Sequence, residues 1–189
     1  WAGNYSFFYI LNRVLNDYKP KRILELGLGE STKIISTYLD NLLLESTHTI
    51  VEHDSDWAKA FQTNFSLSKN SKIELCDIEI KTINNFKVNG YKEFDTLVTG
   101  HFDLYVVDGP YGSDRYSRYD IVSLVDKFDA NEEFIILFDD TNRQGEDETC
   151  LAITSKLDKK QIKYYTFKYE GNKASTIIAS ETYQYSTSF

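Results

Sequence analysis

The chain is predicted to be an α/β protein built on one doubly wound, mostly parallel, seven-stranded sheet with an antiparallel C-terminal hairpin. Short apolar, β-branched runs alternate with stretches of helical period along nearly the whole length. No linker, repeat or low-complexity tract interrupts that alternation. At 189 residues, 41% hydrophobic and 26% charged with 2 prolines, the composition suits one soluble domain over residues 1–189.

Asn4 is placed to cap a first helix whose apolar positions Phe8, Leu11, Val14, Leu15 and Tyr18 recur at helical spacing, and Lys19-Pro20 stops it. Arg22 to Leu26 (RILEL) then reads as the first strand, running into Gly27-Leu28-Gly29-Glu30-Ser31-Thr32 and a helix carried by Ile34, Ile35, Tyr38, Leu39 and Leu42. His48 to Glu52 is the second strand, followed by a helix through Trp57, Ala58, Phe61 and Phe65; Lys72 to Cys76 is the third. Residues Asp77 to Gly100 are expected to cross as helix or loop to a fourth strand, Phe102 to Val107. A helical stripe on Ile121, Leu124, Val125 and Phe128 precedes the fifth strand, Phe134 to Phe138. A helix around Leu151 to Leu157 and strands Lys163 to Lys168 and Ser175 to Ala179, joined by a turn at Gly171-Asn172, complete the chain. Right-handed crossovers between parallel strands bring the polar strand ends to one rim, where open α/β sheets bind ligands.

Charge narrows the partners. With 21 Lys and Arg against 29 Asp and Glu the net charge is -8, which opposes capture of nucleic acid or an anionic membrane. Cys76 and Cys150 are too few for a zinc site or a disulfide framework and read as buried free thiols of a reducing compartment, so a cytoplasmic location is expected. No apolar stretch approaches the ~18 residues of a membrane span. The absence of methionine and the start at Trp1 suggest a piece of a longer protein, and with it the loss of an N-terminal lid. Oligomeric state has no signature in the sequence.

The turn after the first strand lets backbone approach a ligand at a helix N-terminus. A dinucleotide fingerprint requires glycine at position 32, where threonine stands, and no Gly-Lys-Ser/Thr follows to make a P-loop. Glu25-Leu26-Gly27-Leu28-Gly29-Glu30-Ser31 resembles the E-x-G-x-G opening of class I, Rossmann-like, S-adenosylmethionine-dependent methyltransferases. Glu52 follows Gly29 at about the ~20-residue spacing that sets a carboxylate against a ribose diol, and Val51-Glu52-His53-Asp54 is similar to that family's second motif. The resemblance covers nearly the whole chain in strand order. It implies that Glu25, Gly27, Gly29, Ser31, Thr32, Glu52, His53 and Asp108 line the cofactor, with Asp77 facing the adenine amino group.

Asp108, followed by Gly109-Pro110, ends the buried fourth strand where a carboxylate can orient an acceptor or bind a cation. In the resembled family this is the loop beside methyl donor and acceptor. Arg115 and Arg118 alternate with Tyr111, Tyr116 and Tyr119; arginine forks suit carboxylate or phosphate and tyrosine faces suit sugar rings, so Tyr111, Arg115 and Arg118 are the acceptor candidates. Catechol-type O-methyltransferases hold magnesium on an Asp after the fourth strand and an Asp-Asn pair after the fifth. Asp108, Asp139, Asp140 and Asn142 offer that set, although Asp140-Thr141-Asn142 departs from the adjacent pair. The Asp-Gly-Pro signature with its following arginine is more similar to glucuronoxylan and related saccharide O-methyltransferases. It also resembles the Asp-Pro-Pro-Tyr motif of nucleobase amino-methyltransferases, with Tyr111 as the stacking residue, but Gly109 breaks that motif.

The function these resemblances imply is methyl transfer from S-adenosylmethionine to a hydroxyl of a saccharide or another small acceptor, with or without magnesium. Asp108 and His53 are the groups expected to handle the proton, and Asp140 to hold a metal or the acceptor. A cofactor-binding but inactive partner module of a glycan-synthesis enzyme is the competing reading.

Overall fold

The computed structural model describes residues 5–189, so the cap expected at Asn4 lies outside the described residues. In chain order the elements are α1 (Tyr5–Asp17), β1 (Arg22–Leu26), α2 (Glu30–Asn41), β2 (Thr47–Glu52), α3 (Ser55–Asn64), β3 (Ser71–Leu75), β4 (Ile78–Ile83), β5 (Phe86–Tyr91), α4 (Phe94–Leu97), β6 (Leu104–Val107), α5 (Asp120–Val125), β7 (Ile135–Phe138), α6 (Gln144–Lys159), β8 (Tyr164–Glu170) and β9 (Ala174–Ser180). A 3₁₀ segment, Glu181–Ser188, follows.

Strands β6 and β7, and β1 apart from Arg22 and Glu25, are apolar without alternation because both faces are covered: every residue of β6 and β7 is buried, and all of β1 after Arg22. The seven-stranded sheet runs β3-β2-β1-β6-β7-β9-β8. Its first five strands are parallel; β9 inserts antiparallel beside β7, and β8 closes the edge antiparallel to β9. On one face Ile23, Leu104, Val106, Ile135 and Leu137 pack with Ile10, Leu11 and Leu15 of α1 and Ile35 and Leu39 of α2. On the opposite face Leu24, Leu26, Val107 and Phe138 pack with Phe94, Ile121, Val125, Ile153 and Leu157 of α4, α5 and α6. The expected doubly wound architecture is therefore present. Among the described residues no helix is long and apolar enough to cross a membrane.

The stretch expected to cross as helix or loop differs. Residues 78–91 form an antiparallel hairpin, β4 with β5, as a separate two-stranded sheet, and only four residues after it are helical. Register pairs Ile83 with Phe86, leaving Asn84 and Asn85 as a two-residue loop with φ of 47° and 70°. Left-handed backbone at both central residues is the turn whose twist matches a hairpin, and asparagine tolerates it. Helix α6 also begins earlier than its apolar stripe suggests, at Gln144, with Glu146 and Asp147 in its first turn, where the helix dipole favours carboxylates.

Strand order reverses between β1 and β6, so the crevice beyond their carboxyl ends is the switch point at which such sheets bind ligands.

Candidate functional site

At the switch point two backbones touch. Gly27 has φ +96°, and a Cβ there would lie 3.0 Å from the Gly109 nitrogen and 3.2 Å from the Asp108 carbonyl carbon. A Cβ on Gly109 would lie 2.8 Å from the Gly27 Cα and 3.0 Å from the Tyr91 hydroxyl. The β1–α2 and β6–α5 turns thus cross at a point that admits no side chain from either. Ladder hydrogen bonds continue up to this crossing: Gly27 N–H donates to the Val51 carbonyl (2.9 Å) and Asp108 N–H to that of Leu26 (3.0 Å). Gly29, by contrast, has nothing within 4 Å of where its Cβ would be, so the turn faces open space beyond the crossing.

Two buried carboxylates shape this turn from below. Glu25 accepts hydrogen bonds from the Ser31 hydroxyl and the Thr32 hydroxyl (2.7 Å) and lies 3.1 Å from His48 Nε2, all fully or nearly fully buried. Thr32 Oγ1 in turn accepts the Gly29 N–H at 3.0 Å, closing the start of α2. Glu52 accepts the N–H groups of Leu28 (2.9 Å), His53 (2.7 Å) and Asp54 (2.8 Å), tying the β1 turn to the β2 turn. Its Oε1 also lies 2.9 Å from His53 Nδ1. His53 Nε2 is buried with no hydrogen-bond partner, and the ring meets Tyr111 edge-on at 4.2 Å.

The other side of the switch point is a cluster of acids and bases. One carboxylate oxygen from each of Asp108, Asp139 and Asp140 lies within 4.8 Å of the others. Arg118 stands among them, its Nη2 3.2 Å from Asp108 and 3.3 Å from Asp140 and its Nη1 donating to the Asp139 carbonyl at 3.2 Å. Asp140 also pairs with Lys173 (2.8 Å) and Arg143 (3.1 Å), while Asp139 accepts the Ser175 hydroxyl at 2.9 Å. Desolvation, partly offset by Arg118 and reinforced by Asp139, Asp140 and Glu25, pushes the Asp108 carboxyl up to about 6. Burial and the neighbouring Asp140 raise Asp139. Burial would raise Asp140 too, but the hydrogen bond from Lys173 and the charges of Arg118, Lys173 and Arg143 outweigh it and hold Asp140 below the usual carboxylate range. Asp108 keeps 37% of its side chain exposed, whereas Asp140 keeps 5%.

Arg118 points inward because its loop is pinned. Tyr116 and Arg118 are both left-handed (φ 48° and 58°), and Ser117 between them is fully buried on the first turn of α6. Ser117 N–H donates to the Gly145 carbonyl, its hydroxyl to Glu146, and Thr149 donates to its carbonyl. Gly145 is the seat of this docking: a Cβ there would run into the Ser113 carbonyl oxygen. Arg118, read from the sequence as an acceptor contact, is 4% exposed and engaged within the protein.

The remaining candidates divide. Tyr111 is 61% exposed at the tip of the β6 loop. Arg115 stacks over Phe86 at 4.3 Å and forms a two-pronged pair with Glu148. Phe86, Lys87, Asn89, Ser113, Asp114 and Arg115 enclose an open cavity of about 350 Å³ between the β4–β5 hairpin and the loop. Asp77 is exposed beyond β3 at the base of that hairpin, where its carbonyl accepts the Lys92 N–H. Asn142 accepts the Ala174 N–H at 3.1 Å, serving the start of β9 instead of the acid cluster. Lys173, Arg143, Glu146 and Tyr91 belong to the site's framework; Lys173 and Tyr91 reach it from distant segments, whereas Arg143 and Glu146 follow Asp140 closely at the start of α6. A second cavity of about 210 Å³, lined by Val98, His101, Tyr105 and Phe128, lies away from the strand ends.

The donor set fits an adenosyl cofactor and not a divalent ion. Open space over Gly29, the unpartnered Nε2 of His53 and the carboxylate of Glu52 together suit a polar ligand that carries a ribose. Magnesium, by contrast, would need Asp108 and Asp140 free, and cationic side chains already occupy both; Asn142 is turned elsewhere.

No family model matches the chain, and no curated protein matches it in sequence. Solved structures do resemble it. A protein from Staphylococcus aureus provisionally named a caffeoyl-CoA O-methyltransferase superposes with a TM-score of 0.63 at 13% identity, over 95% of this chain and 85% of that one. The O-methyltransferase TomG of Streptomyces achromogenes, involved in tomaymycin synthesis and solved with S-adenosylmethionine, gives 0.58 at 12% identity over 95% and 81%. The methyltransferase PaMTH1 of Podospora anserina, solved with the demethylated cofactor, gives 0.51 at 17% identity over 96% and 80%. At these identities the likeness establishes the fold, the doubly wound α/β sheet of S-adenosylmethionine-dependent methyltransferases.

Proposed function

We propose that this chain transfers a methyl group from S-adenosylmethionine to a hydroxyl of a small acceptor, and that the acceptor is a saccharide. One observation carries the reading: at the switch point of a methyltransferase fold, Glu52 and the part-exposed Asp108 stand at the ends of β2 and β6, the two strands that flank β1, on either side of the Gly27–Gly109 crossing and a turn that opens at Gly29.

When bound, S-adenosylmethionine supplies a methyl group on a sulfonium, an electrophile reactive enough that alignment is the protein's main task. In this reading the Gly27–Gly29 turn and the start of α2, with Ser31 and Thr32 locked on Glu25, receive the polar end of the cofactor. Glu52 faces the ribose, His53 borders the adenosine and Asp77 lies on the adenine side. Asp108 takes the hydroxyl proton as transfer proceeds. A carboxylate at a pKa of about 6 is better matched to that task near neutral pH than one at ~4. Arg118, Asp139 and Asp140 position Asp108. Tyr111 and Arg115, with the adjoining cavity, offer the ring faces and the guanidinium that a sugar or uronate would meet.

Calorimetry with the demethylated cofactor tests the first half, and methyl transfer to a panel of sugars and uronic acids tests the second. Replacing Asp108 by Ala is expected to lower turnover roughly a hundredfold while cofactor affinity is kept. Absence of binding at high micromolar cofactor would end the reading. Binding with no transfer to any acceptor would assign the chain to an inactive partner module instead.

A further inference from the structure

We infer that the guanidinium of Arg118 fills the place between Asp108 and Asp140 that a divalent cation would take, so that this acidic strand end works without a metal ion. The inference deepens the proposed methyl transfer and rests on it for its catalytic meaning, although the charge arrangement stands on its own.

Three carboxylates, Asp108, Asp139 and Asp140, approach one another within 4.8 Å at the ends of adjacent strands β6 and β7. Such a group repels itself unless a positive charge joins it. Arg118 supplies that charge from the centre: one nitrogen, Nη2, bridges Asp108 (3.2 Å) and Asp140 (3.3 Å), as a metal would bridge two oxygen ligands. The other, Nη1, reaches the carbonyl of Asp139 at 3.2 Å, and the side chain is 5% exposed. Lys173 and Arg143 complete the neutralisation on Asp140. With the buried Glu146, 3.9 Å from Arg118 Nε and 3.7 Å from Arg143 Nη1, four acids share three bases, and a divalent ion could enter only by stripping a buried guanidinium of its partners.

The position of Arg118 is built, not incidental. Left-handed backbone at Tyr116 and Arg118 and the burial of Ser117 against Gly145 and Glu146 aim the side chain into the cluster. Arginine's fork lets one nitrogen face two carboxylates while the other donates to a carbonyl, a geometry that lysine's single ammonium lacks. Its effect on the proposed reaction is to hold the Asp108 carboxyl at the mouth of the crevice without withdrawing it, which makes Arg118 a positioning residue.

The test uses Mn²⁺ as the probe on the full chain, stripped of metal, with free ion followed by its paramagnetic signal. Wild-type protein is expected to bind no stoichiometric Mn²⁺ up to about 1 mM. Removing the guanidinium in Arg118→Ala should create a site of one ion per chain, at least about tenfold tighter than any wild-type binding, because the cluster then loses its central positive charge. Adding Asp140→Asn should abolish it again. Should Arg118→Ala fail to fold, Arg118→Met keeps the volume without the charge and is expected to gain the same site. Stoichiometric binding to wild-type protein that Asp108→Asn removes would overturn the inference, as would a folded Arg118→Met that gains no ion. Loss of methyl transfer on chelation by EDTA would overturn it too. Failure of the protein to bind the demethylated cofactor would strike the methyl-transfer reading alone and leave the Mn²⁺ result to decide this one.

Discussion

Replacing Gly27 and Gly29 by alanine, one at a time, separates what the turn does for the fold from what it does for a ligand. Gly27 sits at φ +96°, where a side chain costs about 1–2 kcal/mol. Its added Cβ would press on the Gly109 nitrogen at 3.0 Å and the Gly109 Cα at 3.1 Å, backbone atoms that cannot swing aside, for a further ~1–3 kcal/mol of overpacking. Gly27→Ala is therefore expected to lose about 2–5 kcal/mol, a large share of the ~5–15 kcal/mol that holds a domain together. Gly29 is extended at φ -169° with nothing within 4 Å of its Cβ position. As the cap of α2, its change to alanine should cost under about 1 kcal/mol. That methyl group would instead project into the space assigned to the cofactor and weaken the demethylated cofactor by about tenfold or more. Urea unfolding gives the stabilities and calorimetry the affinities. Equal stability losses in the two variants would refute the crossing argument; undiminished affinity in Gly29→Ala would refute the placement of the ligand.

Four further outcomes follow from charge and burial. The Asp108 carboxyl, pushed up to about 6, should give kcat/KM for the transfer an acid limb with a midpoint near that value, which Asp108→Asn flattens. The folded protein holds that proton more tightly than the unfolded chain, so Asp108 adds stability below about pH 4 and loses it as pH climbs to about 6; over that interval wild-type protein should fall against Asp108→Asn by at most about 1 kcal/mol, since the side chain is partly exposed to screening solvent. Cys76 is raised and Cys150 pushed up to about 12, both chiefly by burial, so neither thiol should react with a disulfide reagent at pH 8 until urea exposes both. Arg115→Ala, which removes a surface pair with Glu148, should cost less than about 1 kcal/mol of stability yet raise KM for the acceptor with kcat nearly unchanged; an unaltered KM would restrict Arg115 to bracing α6.

The architecture was legible because parallel strands buried on both faces leave uninterrupted apolar runs, so FIILF and LYVV announce themselves and their ends mark the rim. The β4–β5 hairpin escaped because Ile78, Ile80 and Thr82 are interspersed with charges on a half-covered ribbon, and its clearest sign was the Asn84-Asn85 pair with left-handed backbone at both positions. Arg118 was legible as a resident of the site but not in its direction. That direction depends on the docking of Ser117 against Gly145, and a contact between a loop and a helix far along the chain leaves no local trace. Lys173 is the extreme case: it reaches Asp140 from the β8–β9 turn, where nothing in Gly171-Asn172-Lys173 signals more than a hairpin.

The acids of the rim differ less in identity than in what remains for each to do. Glu25 is held by two hydroxyls and an imidazole, Glu52 by three backbone N–H groups, Asp139 by Ser175, and Asp140 by three cations. Each of these interactions fixes a turn in advance, so a ligand arriving at the switch point meets a surface whose ordering cost has already been met in folding. Asp108 alone in that set keeps a third of its side chain open while the others are almost fully enclosed, and it is the one whose carboxyl burial and like-charged neighbours carry to about 6. A rim that satisfies its other carboxylates and leaves one both accessible and near neutrality would concentrate proton handling, and with it the pH dependence of the proposed reaction, on that single group.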